Sequence, residues 1–181
     1  MAKHSASVVV GAPFGQVYRL FAHFSDFPKF MSNVKSVTFI DDERSHWVVD
    51  ILGDREWDAV NENWIADQQI GWRSIGGLDN TGLVRFEADG EDRTRMHVDV
   101  EYEPNGLLGS VGEVLGGGAE FARRLQQELD HFAQMVHAAP PGALDPNSSS
   151  YLFHDDSAAV KGDVAATPSQ TSEDAAIGKA T

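Results

Sequence analysis

The sequence predicts an α+β domain in which a curved antiparallel sheet wraps one long helix, and three features predict it. Four tryptophans, Trp47, Trp57, Trp64 and Trp72, fall in one strand-rich stretch that also holds Arg73. Six runs between Val34 and Tyr102 are β-branched or aromatic and alternate with turn residues, as strands with one buried face do. A segment from about Ala119 to His137 then carries a single apolar stripe, which needs one partner surface. A sheet of this kind encloses an apolar pocket against its helix.

The chain has 181 residues, and a single core typically takes roughly 100–150. Residues 1–139 are therefore expected to form the ligand-binding domain. From Pro140-Pro141-Gly142 onward, through Ser148-Ser149-Ser150, the composition turns to Ala, Ser, Thr and Asp. Such a sequence buries too little apolar surface to offset its ordering entropy, so 140–181 is expected to be a disordered tail. Tyr151-Leu152-Phe153 is an apolar island within it, exposed by default but able to dock on a protein partner or on the domain itself.

Acidic residues outnumber basic ones 28 to 14, and the net charge is −14. That balance repels phosphate backbones and anionic headgroups, which argues against nucleic-acid partners and stable membrane insertion. There is no cysteine, which excludes disulfides, thiolate catalysis and thiolate-ligated metals. The N-terminus runs from Met1 straight into a strand-like Val8-Val9-Val10 without a signal-like segment, so a cytoplasmic location is expected.

In chain order, Ser5 to Val10 reads as a first strand closed by Gly11. Pro13 suits a first helical turn, and Phe14, Val17, Tyr18 and Phe21 give one apolar stripe to about His23. Ser25 or Asp26 can cap a second short helix with Pro28 in its first turn. The strands follow as Val34 to Ile40, Ser45 to Ile51, Glu56 to Trp64, Gln69 to Ser74, Leu83 to Ala88 and Thr94 to Tyr102, joined by short polar connections. The glycine-rich segment from Pro104 to Gly118 has the composition of a mobile flap or a kinked helix. The last helix sets Phe121, Leu125, Leu129, Phe132 and Val136 on its apolar stripe.

Asp26-Phe27-Pro28-Lys29-Phe30-Met31, His46-Trp47, Arg55-Glu56-Trp57, Trp72-Arg73-Ser74, Asn80-Thr81-Gly82 before Phe86, and Tyr102-Glu103-Pro104 with Gly106 carry a family resemblance. From about Ser5 to Val136 the chain resembles the polyketide cyclase/dehydrase group of the START-related (SRPBCC) superfamily. The resemblance implies a helix-grip fold, with about seven strands curled around the C-terminal helix and two short helices after strand one. It also implies a mostly apolar pocket whose mouth is lined by loops and the short helices.

Residues expected to bind a ligand there are Phe30, Met31, Trp47, Trp57, Trp72, Phe86, Met96, Val98, Tyr102, Leu108, Phe121 and Leu125. Two of these depend on register. A two-residue turn at Gly53-Asp54 puts Trp47 and Trp57 on opposite faces, whereas a three-residue loop puts them on the same face. Arg73 alternates with Trp72, so it is a surface charge or, if Trp72 faces outward, a buried guanidinium for a ligand oxygen. Cyclases of the group are implied to use an arginine in the cavity, and the motifs assign that role to neither Arg73 nor Arg55.

Tyr18, Tyr102, Asp50, Glu56, Asp58 and Glu62 are the proton-transfer groups on the central elements, with Arg73 and Tyr102 the catalytic candidates. The seven histidines show no metal-ligand spacing, and Gly116-Gly117-Gly118 lacks the lysine of a phosphate loop. No metal and no cofactor are therefore expected. The leading functional reading is binding of a hydrophobic small molecule such as a lipid, quinone or polyketide. The alternatives are an aromatase/cyclase that promotes aldol closure and dehydration, and a protein-interaction module.

Overall fold

The computed structural model describes residues 1–50, 53–103, 117–155 and 157. Strand β1 (Ala2–Val10) is followed by helix α1 (Phe14–Ala22) and a 3-10 helix (Phe24–Lys29). Six strands follow: β2 (Val34–Phe39), β3 (Arg44–Asp50), β4 (Asp54–Asn61), β5 (Gln69–Gly77), β6 (Asn80–Ala88) and β7 (Thr94–Tyr102). Helix α2 (Gly117–His137) completes the grip.

The sheet order is β1-β7-β6-β5-β4-β3-β2, with antiparallel neighbours throughout. Strands β2 to β7 form a meander, and β1 closes on β7. The two short helices carry the chain from β1 at one edge to β2 at the other. Register shifts at Val34/Ser36 and Asp58/Ala59 add local twist that helps the sheet curl. The helix-grip fold expected from the sequence is the one observed.

Several boundaries move. β4 ends at Asn61 rather than Trp64, because Asn63 takes a positive φ of 56° and turns the chain out of the ladder. β5 and β6 are longer than their apolar runs: Gly76, Gly77, Asn80, Thr81 and Gly82 supply backbone pairing without large apolar side chains. Gly77 has φ 80°, and a Cβ there would lie 2.1 Å from the Glu56 carbonyl oxygen, so only glycine fits. The segment 104–116, expected to be a flap or a kinked helix, lies outside the described residues.

The core is solid at one end of the grip. Phe21, Phe30 and Phe132 pack with ring centroids 4.9 to 5.9 Å apart, beside Leu129, Met135 and Val136 of α2. Phe86 meets Phe14, Tyr18 and Phe21 under α1.

The expectation of a disordered tail from Pro140 is corrected for its first part. Ala143, Tyr151, Leu152 and Phe153 are buried in the main core, and Leu152 N donates to Ala143 O at 2.7 Å. Phe153 is fully covered against Phe30 and Phe132. A short strap of turns thus lets three large apolar side chains meet a core with room for them, which averaged composition does not reveal. The island docks on its own domain and is not a free partner site. Residues 158–181 lie outside the described residues.

Candidate ligand-binding cavity

Between the inner face of the sheet and the first half of α2 lies a cavity of about 370 Å³. Its position follows from the stripe on α2. Leu129, Phe132, Met135 and Val136 are buried, whereas Leu125 and Phe121, one and two turns before Leu129, are only partly covered because they face this space. An apolar cavity of roughly 150 Å³ admits benzene, so this one has room for about two fused rings with a substituent.

The three-residue register settles the tryptophans. Asp50 pairs with Asp54, Gly53 takes φ 102°, and Trp47 stands directly opposite Trp57. Their rings are parallel within 7° at 5.8 Å, and Trp47 lies within 17° of Trp72 at 6.4 Å. These indoles form one wall. Trp72 lies flat across its cross-strand partner Gly82, where a Cβ would sit 2.0 Å from the ring. Trp47 donates to Ser45 Oγ at 2.9 Å and Trp72 to Asn80 Oδ1 at 3.0 Å, which fixes both rings. Asn80 is held in turn, accepting Trp72 while its Nδ2 donates to Leu78 O at 2.8 Å and its backbone N to Ser74 Oγ at 3.0 Å. Ser74 and Asn80 entered the sequence reading only within the family motifs and not as site residues, although polar residues at inward strand positions were the available signal.

Of the expected residues, Met31, Trp47, Trp57, Trp72, Val98, Tyr102, Phe121 and Leu125 line the cavity. Phe30, Phe86 and Met96 do not; all three are spent on core packing, Met96 with no exposed surface. Leu108 lies outside the described residues. Trp64 sits apart, beside Phe24, donating to Tyr18 Oη at 2.9 Å.

Arg73 is on the outer face, exposed, with its Nε 3.2 Å from Glu62 Oε1. Trp72 faces inward, so alternation sends its neighbour to solvent, and the buried-guanidinium alternative fails. Arg55 is the arginine with inward parity, two residues before Trp57 and paired across the ladder with cavity-lining Val49.

The acids named from sequence are also outside. Asp58 meets His46 at 2.7 Å and Glu62 meets Arg73, while Asp50 and Glu56 are exposed. Tyr102 alone among the named proton-transfer groups lines the cavity, and burial pushes its hydroxyl pKa above the usual tyrosine value. It is therefore a donor rather than a base at neutral pH.

Among the described lining residues, charge is confined to the α2 side. Glu120 is gripped by Arg123 and by Arg124 at 2.9 Å, and these hydrogen bonds, Arg123 first, hold its carboxyl down at about 2. Glu128 accepts from Ser32 N at 3.1 Å and from the Ser32 hydroxyl, pinning α2 to the chain that leads into β2. Among the described residues no three His, Asp or Glu side chains converge as a metal site would require. No helix among them is long and apolar enough to cross a membrane.

A helix-grip domain with an indole-walled apolar cavity defines a class of ligand-pocket proteins, and comparison with known proteins places the chain within it. Residues 10–128 match the family described as "Polyketide cyclase / dehydrase and lipid transport", and the chain belongs to that family. It is 29% identical over 138 residues to an uncharacterized 17.2 kDa protein from the melC2-rnhH intergenic region of Streptomyces lincolnensis, covering 75% of this chain and 90% of that one. The Zhui aromatase/cyclase of Streptomyces sp. R1128 superposes with TM-score 0.63 at 15% identity, over 78% of this chain and 96% of the other. A START superfamily protein from Mycobacterium smegmatis superposes with TM-score 0.62 at 17% identity, over 75% and 99%. At these identities the two structures speak to the fold alone.

Proposed function

We propose that this protein binds a hydrophobic small molecule, a lipid, quinone or polyketide-like compound, in the cavity between the sheet and α2. The observation that carries the reading is the wall of near-parallel indoles from Trp47, Trp57 and Trp72 facing an apolar space of about 370 Å³. Flat rigid rings offer large contact area at little entropic cost. A cyclase needs at least two ionisable groups free to act on substrate, whereas Glu120, Arg124 and Glu128 are already engaged with protein partners. That balance favours binding over catalysis. Native mass spectrometry of the full chain purified from its own host tests it: a co-purifying hydrophobic molecule at one per chain is expected, lost in Trp72→Ala with the fold retained. A chain that carries nothing and takes up no hydrophobic fluorophore refutes the reading.

A further inference from the structure

Three of the four indole N–H groups have acceptors, from Ser45, Tyr18 and Asn80. The fourth, Trp57 Nε1, is buried with no partner, although Trp57 forms part of the cavity wall. A buried donor left unpaired is unfavourable, and native proteins pair the great majority of them. His4 Nε2 is a second buried atom without a partner, and its ring lies 5.5 Å from Tyr102 and 5.1 Å from Phe121. The Tyr102 hydroxyl meets no acceptor among the described residues, and burial alone raises its pKa. Trp57 Nε1, His4 Nε2 and the Tyr102 hydroxyl share one end of the cavity, where Trp57 and Phe121 pack against Leu78 and Tyr102.

The opposite end is different. From Trp57 the rings continue through Trp47 at 5.8 Å, to Phe27 at 5.5 Å and Phe21 at 4.8 Å, with no hydrogen-bonding side chain in the series beyond Trp47, whose N–H is taken. Charge then limits the ligand. The charged groups in the described lining are Glu120, Glu128 and Arg124, and the guanidinium already serves Glu120. With a chain charge of −14, a carboxylate or phosphate ligand meets repulsion, and the one cation among the described lining residues, Arg124, is already paired.

We infer that the cavity takes a neutral hydrophobe in one direction, its carbonyl-type oxygen accepting hydrogen bonds from Trp57 Nε1 and Tyr102 Oη and its apolar body lying along Trp47 toward Phe27 and Phe21. This rests on the binding function proposed above and narrows its ligand class to neutral molecules with an acceptor at one end. Trp57 and Tyr102 set that specificity, while Trp47 and Trp72 supply contact area.

The test uses three probes on the full chain by equilibrium dialysis: 2-acetylnaphthalene, the matched hydrocarbon 2-ethylnaphthalene, and the anion 2-naphthoate. The ketone is expected to bind about tenfold more tightly than the hydrocarbon, with the carboxylate weakest. Trp57→Phe and Tyr102→Phe are each expected to cut the ketone preference, taken as the ratio of ketone to hydrocarbon affinity within each variant, roughly threefold. In wild-type protein, the indole N–H resonance that vanishes in Trp57→Phe should shift on adding ketone and stay fixed with hydrocarbon, a readout that needs no variant to bind. Equal affinity for ketone and hydrocarbon, a tighter carboxylate, or an unmoved Trp57 resonance overturns the orientation while leaving the cavity as a binding site. Failure of all three probes to bind removes the binding function and this inference with it.

Discussion

Tyr151 Oη donates a 2.7 Å hydrogen bond to Asp26 Oδ2, joining residues 125 apart in sequence across the top of the core. Lys29 Nζ lies 3.2 Å from the other Asp26 oxygen and also donates to Phe153 O, so the strap is tied to the 3-10 helix at both ends of that helix's last turn. The same helix supplies Phe27 to the cavity wall, and Met31 follows shortly after it. Strap, 3-10 helix and cavity are thus one packing unit.

Truncation after Ala139 is expected to destabilise the domain. Tyr151, Leu152 and Phe153 are each at least 94% buried by the complement of their 6%, 2% and 0% exposure. Each such side chain is worth roughly 1.5–3 kcal/mol when fully buried, so the loss is about 4 kcal/mol or more. For a chain of this size that corresponds to a fall in Tm of ~10 °C, read by calorimetry on full-length and truncated protein. An unchanged midpoint would show that the strap contributes nothing.

The Tyr151 hydroxyl also makes the domain sensitive to alkali. Burial first, then the bond to Asp26, raises its folded pKa above the ordinary value of 10.0. For a raised pKa the stabilisation is fully present below the unfolded value and is lost as pH rises beyond it, because the unfolded chain releases a proton that the folded one keeps. Stability should therefore decline above about pH 10. Tyr151→Phe is expected to be less stable at neutral pH yet to decline less steeply between about pH 10 and 12 in urea titrations. Parallel curves for the two proteins would exclude Tyr151 as the source.

How much of this was legible in the sequence depends on the range of the signal. Period-two alternation found β7 at its observed bounds, Thr94–Tyr102, and the 3.6-residue stripe found α2 to within two residues of its start at Gly117. Both are local patterns with one buried face. The partnership of Trp47 with Trp57 depended on one loop residue near Gly53, which fixes the face of every side chain in β4. Alternation alone paired Arg73 with solvent once Trp72 was known to be inward, but nothing local said which way Trp72 pointed. The strap was hidden because Tyr151, Leu152 and Phe153 lie among serines and aspartates in the sequence, and the rings that Phe153 packs against, Phe30 and Phe132, are distant from it along the chain. Phe30, Phe86 and Met96 share the cavity's face of the domain but sit where α1 and the second half of α2 close it off.

Gly82 is the platform for an indole. A Cβ at this position would overlap the Trp72 ring at 2.0 Å, and the ring is held there by its bond to Asn80. Gly82→Ala is therefore expected to lift Trp72 off the sheet into the cavity and cost about 1–3 kcal/mol by overpacking. Affinity for a hydrophobic fluorophore should fall alongside stability, whereas Gly76→Ala, which meets nothing within 4 Å in the neighbouring strand, should leave affinity unchanged. Equal behaviour of the two variants would separate Trp72 from the ligand site.

The same substitution made one turn apart on α2 distinguishes a cavity from a packed core. Leu125 lines the open space, whereas Leu129 has no exposed surface and does not line it. Leu125→Trp should find room among Trp47, Val98 and Phe121, keeping Tm within a few degrees while reducing binding of a hydrophobic fluorophore at least ~10-fold, since the added ring occupies the ligand's volume. Leu129→Trp inserts the same atoms into an interior near native packing density and should cost about 1–3 kcal/mol or more, lowering Tm by several degrees. The pair is read by thermal unfolding and by probe titration on each purified variant. If Leu125→Trp is the more destabilised of the two, or binds the fluorophore as wild type does, the space beside the first half of α2 is not the ligand's place.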